Sequence, residues 1–310
     1  MILTVTANPT VDKNYFVDKL SIGEVVRVNE CNQTAGGKGI NVSKVANLLG
    51  EQTMATGFIG GHSGEFINSF LIKAGVKTSF ITVDGETRTC ININENSTPK
   101  QTELLEPGNE INVEKQKEFI NKYTELLKDC KIVAISGSVP RGIDENFYPE
   151  LIKIAKQAGR RVILDTSGKL LKAGIEAIPH IVKPNKTEMI ELIGRDIKTR
   201  EDIISAAYEI KAKGIETVIV SLGKDGAIFV TDEGVYQGIT PDIKIVNTVA
   251  CGDSLVAGFA TGLSRNLPIT DTIKLAMAVS TANALRKETG FFIREDLDKL
   301  LGMVEAVKLQ

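Results

Sequence analysis

Val246-Asn247-Thr248-Val249-Ala250-Cys251-Gly252-Asp253-Ser254-Leu255-Val256-Ala257-Gly258-Phe259 is the stretch from which the rest of the chain can be read. Small residues run straight into an acid, and the acid opens an apolar, helix-like run. A helix start carries unpaired backbone N–H groups and a partial positive charge, so it is an anion site. A carboxylate placed inside that site puts a base where negative charge collects. That arrangement suits phosphoryl transfer to a hydroxyl.

Outward from this stretch, short apolar runs alternate with amphipathic ones. The pattern predicts strands at 3–7, 54–59, 132–136, 162–165, 181–183, 218–222 and 227–231. It predicts helices at 42–49, 65–74, 113–127, 147–157, 186–193, 203–213, 254–263, 272–285 and 295–307. Val42, Val45, Ala46 and Leu49 fall on one helical face. Buried-looking strands alternating with helices predict an α/β fold, a mostly parallel sheet covered by helices, with ligands at the carboxyl ends of its strands. Two regions break the rhythm, at about 10–34 and 81–102. Rich in Val, Thr, Ile and Asn, they read as inserted antiparallel strands. Such strands can form a small sheet that serves as a lid or a dimer contact, or they can be ordinary edge hairpins.

The whole chain bounds the answer. Its 310 residues and 42% hydrophobic content suffice for one large α/β domain. A net charge of −2 with interspersed signs offers no nucleic-acid or membrane surface. The first residues read as a strand, with no basic region before it and no cleavage site after it, so a secretory signal is not expected. Cys31, Cys90, Cys130 and Cys251 form no CxxC pair, which points to a reducing cytoplasm. With only His62 and His180, a histidine-based hydrolase or metal site has little to build with.

Other segments carry chemistry at strand ends. Thr34-Ala35-Gly36-Gly37-Lys38-Gly39-Ile40-Asn41 leads into a helix; its glycines admit a ligand, and Lys38 favours an anion or polyol. It is neither a P-loop nor a GxGxxG turn. Asn8-Pro9-Thr10-Val11-Asp12 follows the first strand, so Asp12 can accept hydrogen bonds from sugar hydroxyls or simply cap a turn. Ser136-Gly137-Ser138 can nest a phosphate or form a plain turn. In Lys183-Pro184-Asn185-Lys186-Thr187-Glu188, Asn185 and Glu188 have capping-box spacing, and the same pair could hold a hydrated Mg²⁺. Ser221-Leu222-Gly223-Lys224-Asp225-Gly226 is a hairpin-like turn or a nucleotide contact. Arg27 and Arg88 lie in the two insertions, where arginine could clamp a phosphate.

In order along the whole chain, these segments resemble the ribokinase-like sugar kinases, specifically the phosphofructokinase B branch. Gly36 to Asn41 is similar to that family's first signature and Thr248 to Ser254 to its second. The resemblance implies a single ribokinase-like domain over 1–310, with a doubly wound, mostly parallel sheet flanked by helices. It implies a small β-sheet lid from the two insertions, often the contact of a homodimer, and it implies ATP with Mg²⁺. Asp253 would be the base, with Ala250, Cys251 and Gly252 offering N–H groups to the phosphoryl group. Asp12, Gly36, Gly37, Lys38 and Asn41 would hold the sugar; Arg88, Arg27 and Ser138 its phosphate. Lys183, Asn185, Ser221, Gly223, Gly226 and Asn283 would face ATP, with Glu188 and Asn185 toward the metal through water. The family usually writes Gly-Ala-Gly-Asp where this chain has Ala250-Cys251-Gly252-Asp253. A helix-compatible backbone is therefore expected at Ala250, and a lowered thiol pKa at Cys251.

The substrate signals are mixed. Val246 to Val249 and Asp253 to Phe259 are similar to 1-phosphofructokinases. Gly85 to Arg88, Gln101 to Glu106, Ala282 to Ala284 and Thr289-Gly290 are more similar to tagatose-6-phosphate kinases. The balance leans to fructose 1-phosphate, then tagatose 6-phosphate, then fructose 6-phosphate. A catalytically silent nucleotide-binding regulator would have lost the base or the Asn185/Glu188 pair, and all are present. A dinucleotide oxidoreductase lacks its GxGxxG.

Overall fold

The computed structural model describes residues 1–97 and 101–310. In chain order the elements begin with β1 (Ile2–Thr6), β2 (Thr10–Val17), β3 (Glu30–Gly36), α1 (Lys38–Leu48), β4 (Thr53–Ile59), α2 (Gly61–Lys73), β5 (Lys77–Thr78), β6 (Ile81–Thr82), β7 (Thr89–Glu95) and β8 (Gln101–Leu105). Next come α3 (Val113–Leu126), β9 (Ile132–Ser136), α4 (Phe147–Gln157), β10 (Arg161–Asp165), α5 (Gly168–Glu176), β11 (Ile181–Val182), α6 (Lys186–Ile193) and α7 (Arg200–Lys211). The chain finishes with β12 (Thr217–Ser221), β13 (Ala227–Thr231), β14 (Gly234–Ile239), α8 (Cys251–Ser264), α9 (Ile269–Ala284), α10 (Arg294–Leu301) and β15 (Glu305–Lys308).

Among the described residues the main sheet runs β15-β14-β13-β12-β11-β10-β9-β1-β4-β5, with β6 also on β4. Pairing is parallel from β12 through β5 and antiparallel from β12 outward to β15. Successive strand residues point to opposite faces, and both faces are apolar. Leu3, Val5, Val133, Ile135, Val162 and Leu164 pack with residues of α3, α4, α5 and α7 on one face. Ile2, Ile132, Ala134, Ile163 and Ile219 pack with residues of α1, α8, α9 and α10 on the other. Val42, Val45, Ala46 and Leu49 are buried in that second layer, as the helical spacing predicts. The result is a ribokinase-like α/β sheet wound on both sides.

The second sheet has the order β3-β2-β7-β8. Each insertion folds as an antiparallel pair, but the two join through a parallel β2–β7 contact, which the all-antiparallel expectation missed. Residues 81–82 belong to the edge of the main sheet instead, paired to β4. Residues 98–100 of the second insertion lie outside the described residues.

Three further differences have local causes. The helix expected at 295–307 stops at Leu301, and 305–308 leave it to pair antiparallel with β14. β14 itself was not expected. Helix α5 was not expected either, because Gly168 and Gly174 dilute its pattern. A Cβ at Gly174 would stand 2.5 Å from Leu164 Cδ2, so close packing on β10 requires the residue that hides the helix.

Candidate active site

Strand order reverses between β1 and β9, whose next neighbours in the chain lie on opposite sides. A crevice is expected outside the carboxyl ends at that switch point. A cleft of about 920 Å³ is found there. Thr6, Asn8, Gly137, Ser138, Asp165, Lys183 and Ser221 line it from strand ends, and Cys251, Gly252 and Asp253 from the start of α8. Asp12, Cys90, Asn92, Glu103 and Leu105 on one face of the small sheet close another side.

The cleft brings together most residues singled out from the sequence. Asp12, Gly37, Lys38, Asn41, Arg88, Ser138, Lys183, Asn185, Ser221, Gly223, Gly226, Ala250, Cys251, Gly252 and Asp253 all line it. Four do not. Arg27 is exposed in the segment between β2 and β3. Gly36 lies behind Asp12, where a Cβ would stand 2.0 Å from Asp12 Oδ2. Glu188 closes a capping box instead: its Oε2 accepts from Asn185 N at 2.8 Å, while Asn185 Oδ1 accepts from Glu188 N at 2.9 Å. Asn283 sits behind the α8 loop. It donates to Val249 O at 2.8 Å and to Cys251 Sγ at 3.4 Å, and accepts from Gly290 N at 3.0 Å.

The α8 start corrects one expectation. Ala250 is its N-cap at φ 62°, ψ 10°, left-handed rather than helix-compatible. For alanine this costs about 1–2 kcal/mol. The surrounding bonds hold it: Asn247 Oδ1 accepts from Val249 N at 2.9 Å, and Ala250 O accepts from Ser254 N at 2.8 Å. The left-handed turn is thus kept with alanine; Cys251 N, expected to face the phosphoryl group, donates instead to Thr248 O at 3.3 Å, and the N–H groups of Gly252 and Asp253 are left at the cleft. A second correction concerns Cys251. Burial raises its thiol pKa, outweighing the Asn283 hydrogen bond.

Asp253 is buried at the third position of α8. Burial, then the nearby Asp165 carboxylate, raise its pKa to about 6, with Lys38 and the Asn41 bond pulling the other way. Asn41 Nδ2 donates to Oδ2 at 2.8 Å and fixes the carboxylate. A base with a value near neutrality matches the demand of proton abstraction.

Asp165 was missed in the sequence although it ends a predicted strand, the position where the other candidates were found. It is wholly buried at the end of β10. Its Oδ1 lies 3.2 Å from both Lys38 Nζ and Lys183 Nζ. Burial would raise its pKa, but the two ammonium groups outweigh that and hold it below the ordinary value. Lys183 in turn stands at the mouth of the helix start, its Nζ 3.4 Å from where a Cβ on Gly252 would be. Two cations therefore flank the anion site.

On the other side, burial raises Asp12 to about 6, against Lys44 and Arg88. Arg88 is anchored by backbone carbonyls: Nε to Pro9 O at 3.4 Å, Nη1 to Glu106 O at 3.0 Å and Nη2 to Asn8 O at 2.9 Å. Three of its five N–H donors are used, which leaves two for a ligand. Gly37, at φ 108°, caps α1 with a backbone that L residues rarely adopt. Among the described residues no three His, Cys, Asp or Glu side chains are grouped to hold a metal ion.

A carboxylate seated among the open N–H groups of a helix start, at the switch point of such a sheet, is the arrangement of a ribokinase-like phosphotransferase. Comparison with known proteins agrees: the chain belongs to the pfkB family of carbohydrate kinases, which it matches over residues 5–296. It is 35% identical over 315 residues to the tagatose-6-phosphate kinase of Staphylococcus epidermidis, covering 100% of both chains. Escherichia coli phosphofructokinase-2, in a structure with substrates and products, superposes with a TM-score of 0.90 at 28% identity, covering 97% of this chain and 98% of that one. A possible 1-phosphofructokinase of Thermotoga maritima superposes with a TM-score of 0.90 at 29% identity, covering 100% and 99%. No helix among the described residues is long and apolar enough to cross a membrane.

Proposed function

We propose that this carbohydrate kinase transfers the γ-phosphoryl group of ATP to a terminal hydroxyl of a phosphorylated ketohexose, with tagatose 6-phosphate as its substrate. One observation carries the reaction: Asp253, near pKa 6, lies in the same helix start whose N–H groups and neighbouring lysines can receive the phosphoryl oxygens.

Asp12 holds sugar hydroxyls, and Gly37, Lys38 and Asn41 line their side of the cleft. Arg88 and Ser138 take the phosphate the sugar already carries. Asn41 occupies Asp253 Oδ2, so Oδ1 takes the proton of the acceptor hydroxyl. The acceptor oxygen forms its bond to the γ-phosphorus as the bridging β–γ bond breaks, and ADP leaves. The N–H groups at Gly252 and Asp253, with Lys183, stabilise charge on the equatorial oxygens. Such a loose transition state asks mainly for positioning and electrostatics. Asn185, Ser221, Gly223 and Gly226 face the nucleotide. Asp165 Oδ2 is buried in the cleft wall without a hydrogen-bond partner, and Asn185 also lines the cleft. Few carboxylates and no closed cage fit Mg²⁺ carried in with phosphates and waters. When bound, Mg²⁺ would neutralise charge on the β- and γ-phosphates.

The choice of sugar rests on which residues face it. Arg88, Glu103 and Leu105, from the segments similar to tagatose-6-phosphate kinases, line the sugar side. Of the segments similar to 1-phosphofructokinases, 253–259 is mostly buried helix, and only Thr248 and Val249 of 246–249 border the cleft, on the phosphoryl side. The full-length relative at 35% identity supports the same reading. This moves the balance from fructose 1-phosphate, which remains the second reading on the strength of those helix-start residues. The small sheet acts as the lid, and exposed Leu104 on β8, with exposed Ile22 and Val25 in the segment joining β2 to β3, suit pairing of two copies there. Sedimentation of a monomer at micromolar concentration would refute the pairing.

The test is a coupled ADP-release assay on tagatose 6-phosphate, fructose 1-phosphate, fructose 6-phosphate and free fructose. The highest kcat/KM is expected on tagatose 6-phosphate. A preference for free fructose would overturn the phosphate clamp, and a preference for fructose 1-phosphate would select the second reading.

A further inference from the structure

Lys44 lies on α1, three residues beyond Asn41, and turns inward where a surface lysine would reach for water. It is 7% exposed. Its Nζ donates to Thr289 O at 2.8 Å and to Ala35 O at 3.2 Å, and lies 5.8 Å from the centre of the Phe70 ring. These contacts belong to distant parts of the chain. Ala35 is the last but one residue of β3, next to Gly36, which abuts Asp12. Thr289 precedes Gly290, whose N–H reaches Asn283, and Asn283 holds Val249 O and Cys251 Sγ at the helix start. Gly290 leaves room for nothing more: a Cβ there would stand 2.9 Å from Lys44 Cε and 2.8 Å from Asn41 Oδ1.

The charges around it are the two carboxylates of the cleft. Asp12 faces it from β2 and Asp253 from α8, while α2 offers the Phe70 ring and β3 and the 289 loop offer carbonyls. Burial lowers Lys44 to about 8, and the two carboxylates resist that fall. In return, Lys44 is the first of the cations that pull Asp12 back down.

We propose that Lys44 is a positioning residue of the kinase reaction: its buried ammonium group ties the lid strand beside Asp12 to the loop that backs the phosphoryl site, and keeps both cleft carboxylates in register and charged. The inference rests on the kinase reading above. It makes the enzyme sensitive to the loss of one proton far from solvent. As pH rises through the Lys44 transition, the clamp loses its charge and its third donor, and sugar binding loosens while the ATP side stays in place.

The experiment uses the full-length protein with Lys44→Arg and Lys44→Met, each assayed for ADP release from pH 5.5 to 9.5. Wild-type kcat/KM for the sugar should fall on the alkaline side near pH 8. Lys44→Arg, whose guanidinium stays charged, should carry the plateau past pH 9. Lys44→Met should lose ~10- to 100-fold at pH 7, the scale of a hydrogen bond to a charged group. Its acid limb should move upward, and its KM for ATP should stay within about twofold. An alkaline limb in Lys44→Arg that coincides with wild type overturns the proposal, as does wild-type kcat/KM in Lys44→Met. A second measurement is independent of turnover. The folded value near 8 lies below the ordinary 10.5, so the wild type should gain melting temperature relative to Lys44→Arg as pH rises from 8 to 10. A flat difference overturns the inference whatever the sugar assay gives. Silence on every phosphosugar with the melting shift intact refutes the substrate reading instead.

Discussion

Gly36→Ala isolates the acceptor side of the site with a single methyl group. Gly36 has an ordinary extended backbone within β3, so alanine brings no conformational strain there. It brings only volume: the new Cβ would lie 2.0 Å from Asp12 Oδ2, 2.1 Å from Cγ and 2.5 Å from Oδ1. Carbon and oxygen in contact need about 3.5 Å, so the carboxylate has to swing away by more than an ångström. The sugar then loses a hydrogen bond to a charged acceptor, about 1.5–3 kcal/mol, or roughly 10- to 150-fold in kcat/KM. ATP binding should hold within about twofold, because the clash is confined to the sugar side. The decisive measurement is a double-mutant cycle with Asp12→Ala, read by steady-state ADP release and checked by thermal melting. In the Asp12→Ala background Gly36→Ala should cost almost nothing more, giving a coupling energy of about 1.5–3 kcal/mol. Equal losses in both backgrounds would refute the steric account, and wild-type rates for Gly36→Ala would remove Asp12 from the sugar site altogether.

Asp253→Asn and Asp253→Ala should lower kcat by about 10²- to 10⁴-fold while isothermal titration still shows ATP binding; near-normal turnover in both would unseat the base. In the wild type, kcat/KM should rise with pH through about 6 as Asp253 ionises. The same shift acts on stability: the folded value exceeds the unfolded 3.8, so stability falls as pH rises from about 4 to 6, and at pH 8 Asp253→Asn should be the more stable by about 1–3 kcal/mol in urea melts, with no gain at pH 3. Ala250→Gly removes the left-handed strain and should stabilise by about 0.5–1 kcal/mol with activity retained, glycine's extra unfolded-state freedom offsetting the rest; a loss of stability would contradict the backbone assignment. Asp165→Asn leaves Lys38 and Lys183 facing a neutral group and should cost about 3–5 kcal/mol of unfolding free energy; a neutral effect would show that the buried trio is not an ion cluster.

What the sequence shows and hides follows from the range of each signal. Strand ends followed by Gly, Ser or Asp are local, so Asp12, Ser138, Lys183 and the Asp253 stretch could be picked out and meet in one cleft. Asp165 looks like the polar end of any strand; its lysine partners are remote, Lys38 by 127 positions, and only the fold joins them. Lys44 reads as the solvent side of α1 until Ala35 and Thr289 are seen around it. The parallel β2–β7 contact pairs residues nearly eighty positions apart with no turn between them, and periodicity cannot show which edges meet. At Ala250 the left-handed turn persists without its usual glycine, since the hydrogen bonds of Asn247 and Ser254 hold what local preference would reject.

β1 has a consequence for how this chain is made. It precedes every other strand of the main sheet in the chain, yet it lies in the interior of that sheet, buried along its whole length between β4 and β9. Its partner on one side begins at residue 132, so no early portion of the nascent chain can complete the strand's hydrogen bonds. During translation, Ile2, Leu3 and Val5 must stay shielded by the ribosome or a chaperone for the time it takes to add more than a hundred residues. A break just after β1 would therefore leave pieces that do not fold alone, and a separately supplied copy of β1 would have to enter the interior of the sheet rather than extend its edge.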